Sequence, residues 1–175
     1  MWRLRHPRGR AAPAEARGPD GTPDRTGHLD RLLARVTEAG VRTAGLQELF
    51  ALTGGSHAAA AVCGDGILAV REDIGRHNAL DKVLGAMLME GSLPAAPGVR
   101  TPGPEERPWI WVSGRASFEV VQKAWSGGFG ALVAVGAVSS LAVEVSRRAN
   151  MTLVGFSRVS RATVYNVAAA PEGPS

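Results

Sequence analysis

Cysteine occurs once in the 175 residues, as Cys63. One thiol cannot close an intrachain disulfide, nor can it make a Cys-x-x-Cys metal or redox motif. A cytoplasmic setting is the expectation that follows. The chain also lacks a phosphate-binding Walker loop and a Gly-x-Gly-x-x-Gly fingerprint, so ordinary ATPase and dinucleotide folds are not indicated. Its first 30 residues hold no apolar h-region, and no secretory signal is expected. Charge is missing from the 20 residues between Lys123 and Glu144, which is transmembrane length. Gly127, Gly128, Gly130 and Gly136 interrupt that run, with Ser126, Ser139 and Ser140. It reads as turn, buried strand and capped helix, and no membrane association is expected. Acids are missing beside Arg3, Arg5, Arg8 and Arg10. Those four equal the whole formal net charge of +4, so the remaining residues sum to zero. Despite a pI near 10.2, the body of the chain is not a nucleic-acid surface.

The most chemistry is concentrated in Arg71-Glu-Asp-Ile-Gly-Arg-His-Asn-Ala-Leu-Asp-Lys82. A short apolar run, Ile67-Leu-Ala-Val70, precedes it after the turn signal Gly64-Asp65-Gly66, and the run Ala58-Ala-Ala-Ala-Val-Cys63 stands before the turn. The two runs read as a hairpin, although alanine by itself favours helix. Behind the polar stretch, Leu80, Leu84, Met87 and Leu88 recur at helical spacing. A plain strand-to-helix connection needs a cap and a glycine, not two acids, an arginine, a histidine and an asparagine. Helix N-termini at strand ends bind ligands in open α/β sheets, because free N–H groups and the helix dipole point there. Asp73 is placed to cap that helix, and Glu72 and Asp73 are also candidates for acid and base. His77 and Asp81, and Asn78 and Lys82, are each one turn apart.

Residues 1–27 lack a core's worth of large apolar residues and are expected to be a disordered basic tail. Leu29, Leu32, Leu33 and Val36 form a helical stripe ended by Gly40, within a helix and linker at 28–45. One main domain spans 46–167, and a tail follows at 168–175. Residues 46–52 read as a further helical turn. Five prolines and three glycines at 90–108 predict a flexible loop. Strand, polar turn and helix then recur. Trp109-Ile-Trp-Val112 precedes a helix over 118–125 with Phe118, Val121 and Trp125 on one face and a Glu119–Lys123 pair on the other. Residues 131–135 are a strand, Ser139 and Ser140 a cap, 141–149 a helix, and 151–156 and 162–167 strands. This alternation predicts an α/β fold with a mostly parallel sheet covered on both faces. Four polar segments fall at strand connections, at 53–57, 71–78, 113–117 and 157–161. They carry Arg76, Arg115, Arg158, Arg161, His57 and His77. Guanidinium forks suit phosphate or diphosphate.

Leu52-Thr-Gly-Gly-Ser-His-Ala-Ala59, the stretch from Arg71 to Gly85, and Ser113-Gly-Arg-Ala-Ser-Phe-Glu-Val-Val-Gln-Lys-Ala124 resemble the formate dehydrogenase accessory family FdhD. So do Leu141-Ala-Val-Glu-Val145 and Leu153-Val-Gly-Phe156. The resemblance runs in order over 46–167. It implies a three-layer α/β/α fold with a cytidine-deaminase-like mixed sheet, a homodimer, and a cytoplasmic sulfur carrier. In that family a cysteine desulfurase loads sulfur on a loop cysteine. The sulfur passes to the molybdenum bis(molybdopterin guanine dinucleotide) cofactor before formate dehydrogenase receives it, so both enzymes are implied partners. The family's contact segment for the guanine dinucleotide maps onto Phe156, Ser157, Arg158, Val159, Ser160 and Arg161. Arg76, His77, Arg115 and His57 are further candidates, and GDP is the implied mimic.

The resemblance departs in one place. The family's Cys-x-x-Cys loop lies N-terminal to the Thr-Gly-Gly segment, where this chain has residues 17–26 and no cysteine. Cys63 sits beyond the Thr-Gly-Gly loop in an apolar run and reads as a small buried hydrophobe. Sulfur transfer is therefore an open expectation, the alternative being a cofactor-holding relative or a truncated member. Zinc deamination is the rival chemistry for the implied fold. It requires His-x-Glu and Pro-Cys-x-x-Cys, where this chain has Gly75-Arg-His-Asn78 and Ser113-Gly-Arg-Ala-Ser117. Neither a zinc site nor any other metal site is expected.

Overall fold

The computed structural model describes residues 25–96, 107–158 and 161–168, with side chains from residue 34 onward. The elements are α1 (Arg25–Ala44), α2 (Glu48–Thr53), β1 (His57–Cys63), β2 (Gly66–Asp73), α3 (Arg76–Met89) and β3 (Trp109–Val112). They continue with α4 (Phe118–Ser126), β4 (Ala131–Ala134), α5 (Ser140–Arg148), β5 (Thr152–Arg158) and β6 (Arg161–Asn166). The six strands form one sheet in the order β2-β1-β3-β4-β5-β6.

The predicted hairpin is present. Gly64 has a φ of +56°, which a two-residue turn between Cys63 and Gly66 requires. The alanine run is a strand because burial overrides propensity: residues 58–62 are no more than 2% exposed. Alternate residues face opposite layers. Ala59 and Ala61 join a core with Leu80, Val83 and Met87 of α3, Val120 and Val121 of α4, and Ala142 of α5. Ala58, Ala60 and Val62 join a second core with Trp109, Trp111 and Val36 and Ala39 of α1. Three layers result, α1 on one face and α3, α4 and α5 on the other.

The sheet is mixed rather than mostly parallel. Only β3–β4 and β4–β5 run parallel, and each is joined by a helical crossover; β1–β2, β1–β3 and β5–β6 are antiparallel. Helix α1 does not end at Gly40 but continues to Ala44. A Cβ at Gly40 would stand 3.3 Å from Trp111 Nε1, so the glycine lets the helix lie close to the sheet. On α4 the buried residues are Val120, Val121 and Ala124, while Phe118 and Trp125 are exposed. Both stripes include Val121 and differ by a small rotation, which nine residues of sequence leave undecided. Lys123 bonds Asp81 of α3 at 2.6 Å rather than pairing with Glu119. On α3, Leu88 is likewise exposed and Ala79 and Val83 take its place in the stripe.

Part of the expected loop at 90–108 is held in place. Ser92 and Leu93 N–H groups donate to Met87 O, Ala95 N–H donates to Gly127 O, and Leu93 packs on the core. Residues 97–106 lie outside the described residues, as do 1–24 of the expected tail and 169–175 at the other end. Residues 25–27 open α1. Among the described residues no helix is long and apolar enough to cross a membrane. Ser139 caps α5 as predicted, accepting from Ala142 N–H at 3.2 Å. Gly155 allows a close approach: a Cβ there would fall 2.4 Å from Val138 Cγ2.

Candidate functional site

Register brings the four polar segments to one edge of the sheet. His57 at the start of β1 lies opposite Asp73 at the end of β2. Ala59 lies opposite Val112 at the end of β3, and Val112 beside Ala134 at the end of β4. Beyond these ends the loops are stitched together. Ala58 N–H donates to Ser113 Oγ, Gly136 N–H to Gly114 O, and Phe156 N–H to Gly136 O. Strand β5 therefore continues past the same edge, carrying Arg158 opposite Arg161.

Two boundaries differ from the sequence reading. Residues 71–73 belong to β2, and Ser157, Arg158 and Arg161 belong to the β5–β6 hairpin; strand pairing extends into both polar segments. Val159 and Ser160 lie outside the described residues.

Glu72 and Asp73 are both occupied. Glu72 accepts from Leu49 N–H at 2.8 Å, Phe50 N–H at 2.9 Å and Ser56 Oγ at 2.7 Å. It thus caps α2, a helix that precedes it in the chain. Burial pushes its carboxyl up, but the bonds from Ser56, Leu49 and Phe50 outweigh this and leave it below its ordinary value. Asp73 is not the N-cap of α3; Gly75 holds that position with no side-chain cap. Asp73 turns back instead, accepting from Gly75 N–H at 2.9 Å and Asn78 Nδ2 at 3.1 Å, with Lys82 Nζ at 2.6 Å. The Lys82 bond first, then those from Gly75 and Asn78, hold its carboxyl down at about 2. Of the polar groups on the first turns of α3, Asn78, Asp81 and Lys82 are therefore committed to structure.

Arg76 and His77 remain, and the β3–α4 turn meets both. A Cβ at Gly114 would lie 3.4 Å from Arg76 Cδ and 3.5 Å from His57 Nδ1, so the missing side chain leaves a cradle between them. Arg76 Nε is buried without a hydrogen-bond partner, an arrangement that costs free energy unless something supplies an acceptor. His77 Nε2 is 3.4 Å from Ser117 Oγ. Glu119 completes this side. Its carboxyl is lowered by a bond from Ser117, then by its own N–H, with the charges of His77 and Arg76 adding to the effect.

Arg115 is exposed and packs across Gly136, whose Cβ would come within 3.0 Å of Arg115 Cγ. Phe156 has a φ of +49°, uncommon for a residue with a large side chain, and its ring is 41% exposed. The structure thus joins Arg76, His57 and Gly114 directly and His77 to Ser117. Arg158 and Arg161 are exposed on the hairpin beyond the same edge, and Ser157 is buried. Gly114, Ser117 and Glu119 were not singled out from the sequence. A serine directly before a helix with a glutamate two places on was the available signal, but an i,i+4 lysine gave Glu119 a simpler local partner.

A model of the FdhD/NarQ family matches residues 22–170. The chain belongs to the FdhD/NarQ family. Among FdhD relatives, the sulfur carrier protein FdhD of Nocardia farcinica is 51% identical over 121 residues, 69% of this chain and 40% of that protein. The sulfur carrier protein FdhD of Anaeromyxobacter dehalogenans is 47% identical over 132 residues, 74% of this chain and 44% of that one. The chain thus spans well under half the length of the curated FdhD proteins it matches. A solved structure from Desulfotalea psychrophila, described as a candidate formate dehydrogenase accessory protein, superposes with a TM-score of 0.64. It is 25% identical, and the match covers 77% of this chain and 53% of that one. An FdhD fold is therefore shared over the sheet and its helices.

Proposed function

We propose that this chain holds the molybdenum bis(molybdopterin guanine dinucleotide) cofactor as cargo for a formate dehydrogenase, as the binding part of a sulfur-carrier system. The observation that carries the reading is Arg76, with its buried, unpartnered Nε beside the gap at Gly114. A diphosphate supplies acceptors on the scale that guanidinium forks require. Arg115, Arg158 and Arg161 add charge around the same edge, and His57 borders the gap. The exposed ring of Phe156 offers a flat face to a base.

Cys63 argues for holding rather than transfer by this chain. It ends β1, and His57 begins it, six residue steps away. At about 3.3 Å per step the thiol lies roughly 20 Å from the binding edge. Sulfur delivered to a bound cofactor must arrive on another cysteine, loaded by a cysteine desulfurase. On this reading the protein works in the cytoplasm, as a homodimer, with desulfurase and dehydrogenase as partners. The three layers are of the cytidine-deaminase-like kind, put to binding instead of hydrolysis.

Calorimetry with GDP tests the reading. Binding is expected, and Arg76→Ala or Arg161→Ala should weaken it by about 1.5–3 kcal/mol, the weight of a hydrogen bond to a charged group. Absence of binding at millimolar GDP refutes it. Incubation with a desulfurase and radiolabelled cysteine should leave the chain unlabelled; label that Cys63→Ser removes would make Cys63 the carrier.

A further inference from the structure

The polar edge of the sheet has an apolar group at each end. At the β5 end stands the exposed ring of Phe156. At the β2 end the chain shows aliphatic side chains to solvent. Ile74, just past β2 and two residues before Arg76, is 85% exposed, and Leu52 of α2 is 83% exposed. Leu49 and Phe50 are half-exposed, and no residue of α2 is buried. One exposed leucine needs no explanation, but several gathered beside a polar site mark a contact surface. Leu88, Met89 and Trp125 are exposed as well, at the far ends of α3 and α4 from this edge.

Glu72 fixes the patch in place. Its carboxylate accepts from Leu49 N–H, Phe50 N–H and Ser56 Oγ, so α2 is tied to the end of β2 by its backbone and not by its apolar side chains. Between α2 and Arg76 the surface is low. A Cβ at Gly54 would meet nothing within 4 Å, and one at Gly114 would fill the gap between Arg76 and His57. Missing side chains of this kind let a ligand approach the backbone closely.

Strand order sets the spacing. Along the edge, β2-β1-β3-β4-β5 present Ile74, His57, the Gly114–Arg115 turn, Gly136 and Phe156 in succession. Four strand steps of about 4.8 Å place Ile74 and Phe156 about 19 Å apart. Arg76, against the Gly114 gap, and Arg115 lie between them. An apolar end, two guanidinium groups and an aromatic end match a ligand with a ring on either side of a diphosphate. A mononucleotide on Phe156 reaches only as far as the arginines.

We infer that Ile74 and α2 form a second ring site, an apolar shelf for the planar group across the diphosphate from the base at Phe156. The ligand class is a diphosphate diester with a flat heterocycle at both ends. This deepens the cofactor-holding reading and rests on it for the position of the base and diphosphate.

Calorimetry on the whole chain tests the shelf with two probes. Diguanosine diphosphate carries a guanosine at each end, and GDP-glucose has the same diester with a sugar in place of the second nucleoside. The first should bind about five- to thirtyfold more tightly, the weight of an aliphatic side chain covered in part. Ile74→Ser and Leu52→Ser replace side chains that touch mainly solvent, so the fold should tolerate both, and each should shrink that advantage. Equal affinity for the two diesters overturns the inference. So does an equal loss for both in Ile74→Ser, which would mean that Arg76 had been displaced. Light scattering adds a third arm: a dimer that Ile74→Ser dissociates would make the patch an interface between copies and overturn the shelf. If GDP itself fails to bind, the cofactor-holding reading falls and takes the shelf with it. If GDP binds and the two diesters bind alike, the shelf falls alone.

Discussion

Replacing Glu72 by alanine removes the three bonds that tie α2 and the loop before β1 to strand β2. Helix α2 is six residues long and buries none of them. A helix so short has no stability of its own in water, so its order depends on this carboxylate. Each bond to a charged acceptor contributes about 1.5–3 kcal/mol, and partly exposed neighbours on one acceptor do not add fully, which gives about 2–4 kcal/mol for the three together. Because no core contact is lost, the cost falls on local opening rather than on global unfolding. Hydrogen exchange reads this directly. Ala51 N–H donates to Gln47 O and Gly54 N–H to Phe50 O within the helix, and in Glu72→Ala both should exchange about 30- to 1,000-fold faster, from 1.4 kcal/mol per tenfold. Amides of β3 and β4 should keep their protection. Acid should act like the substitution. The folded carboxyl lies below its ordinary value of 4.5, so its contribution is complete above that pH and lost as pH falls through the lower folded value. Unchanged exchange at Ala51 and Gly54, or equal loss across α2 and the central strands, would refute the reasoning.

Gly155→Ala should lower stability by about 1–3 kcal/mol through overpacking against Val138, measured by urea unfolding; unaltered stability would mean that β5 and the loop before α5 are not in close contact. Asp73 is held at about 2 by Lys82, Gly75 and Asn78, so its contribution is complete above about 3.8 and lost as pH falls toward 2. Unfolding midpoints between pH 5 and 2 should fall less steeply in Asp73→Asn than in the unsubstituted chain, and parallel curves would exclude this source of acid sensitivity.

Wherever the deciding physics lies within a few neighbouring residues, the element was legible in the chain. Gly64-Asp65-Gly66 specifies a turn, Ser139 a cap, and Trp109-Ile-Trp-Val112 a buried strand. The ordered motifs from Thr53 to Phe156 carried the family as well. Partners far apart in sequence were not legible. Residues 58–62 are a strand only because α1 and α3 close on them from opposite sides, and alanine is small enough to admit both. Glu72 and Asp73 look alike in the chain. One caps a helix more than 20 positions earlier, and the other folds back on its own turn. Lys123 prefers Asp81 to Glu119 because α3 and α4 lie side by side on the sheet. That choice releases Glu119 to face Ser117, His77 and Arg76. The sequence alone supplied the arginines and histidines proposed to bind at that edge, and its motifs named them. Which of their neighbours remained available to a ligand was decided by distance through space, since a hydrogen bond acts over about 3 Å and only the fold sets that distance between residues 40 apart.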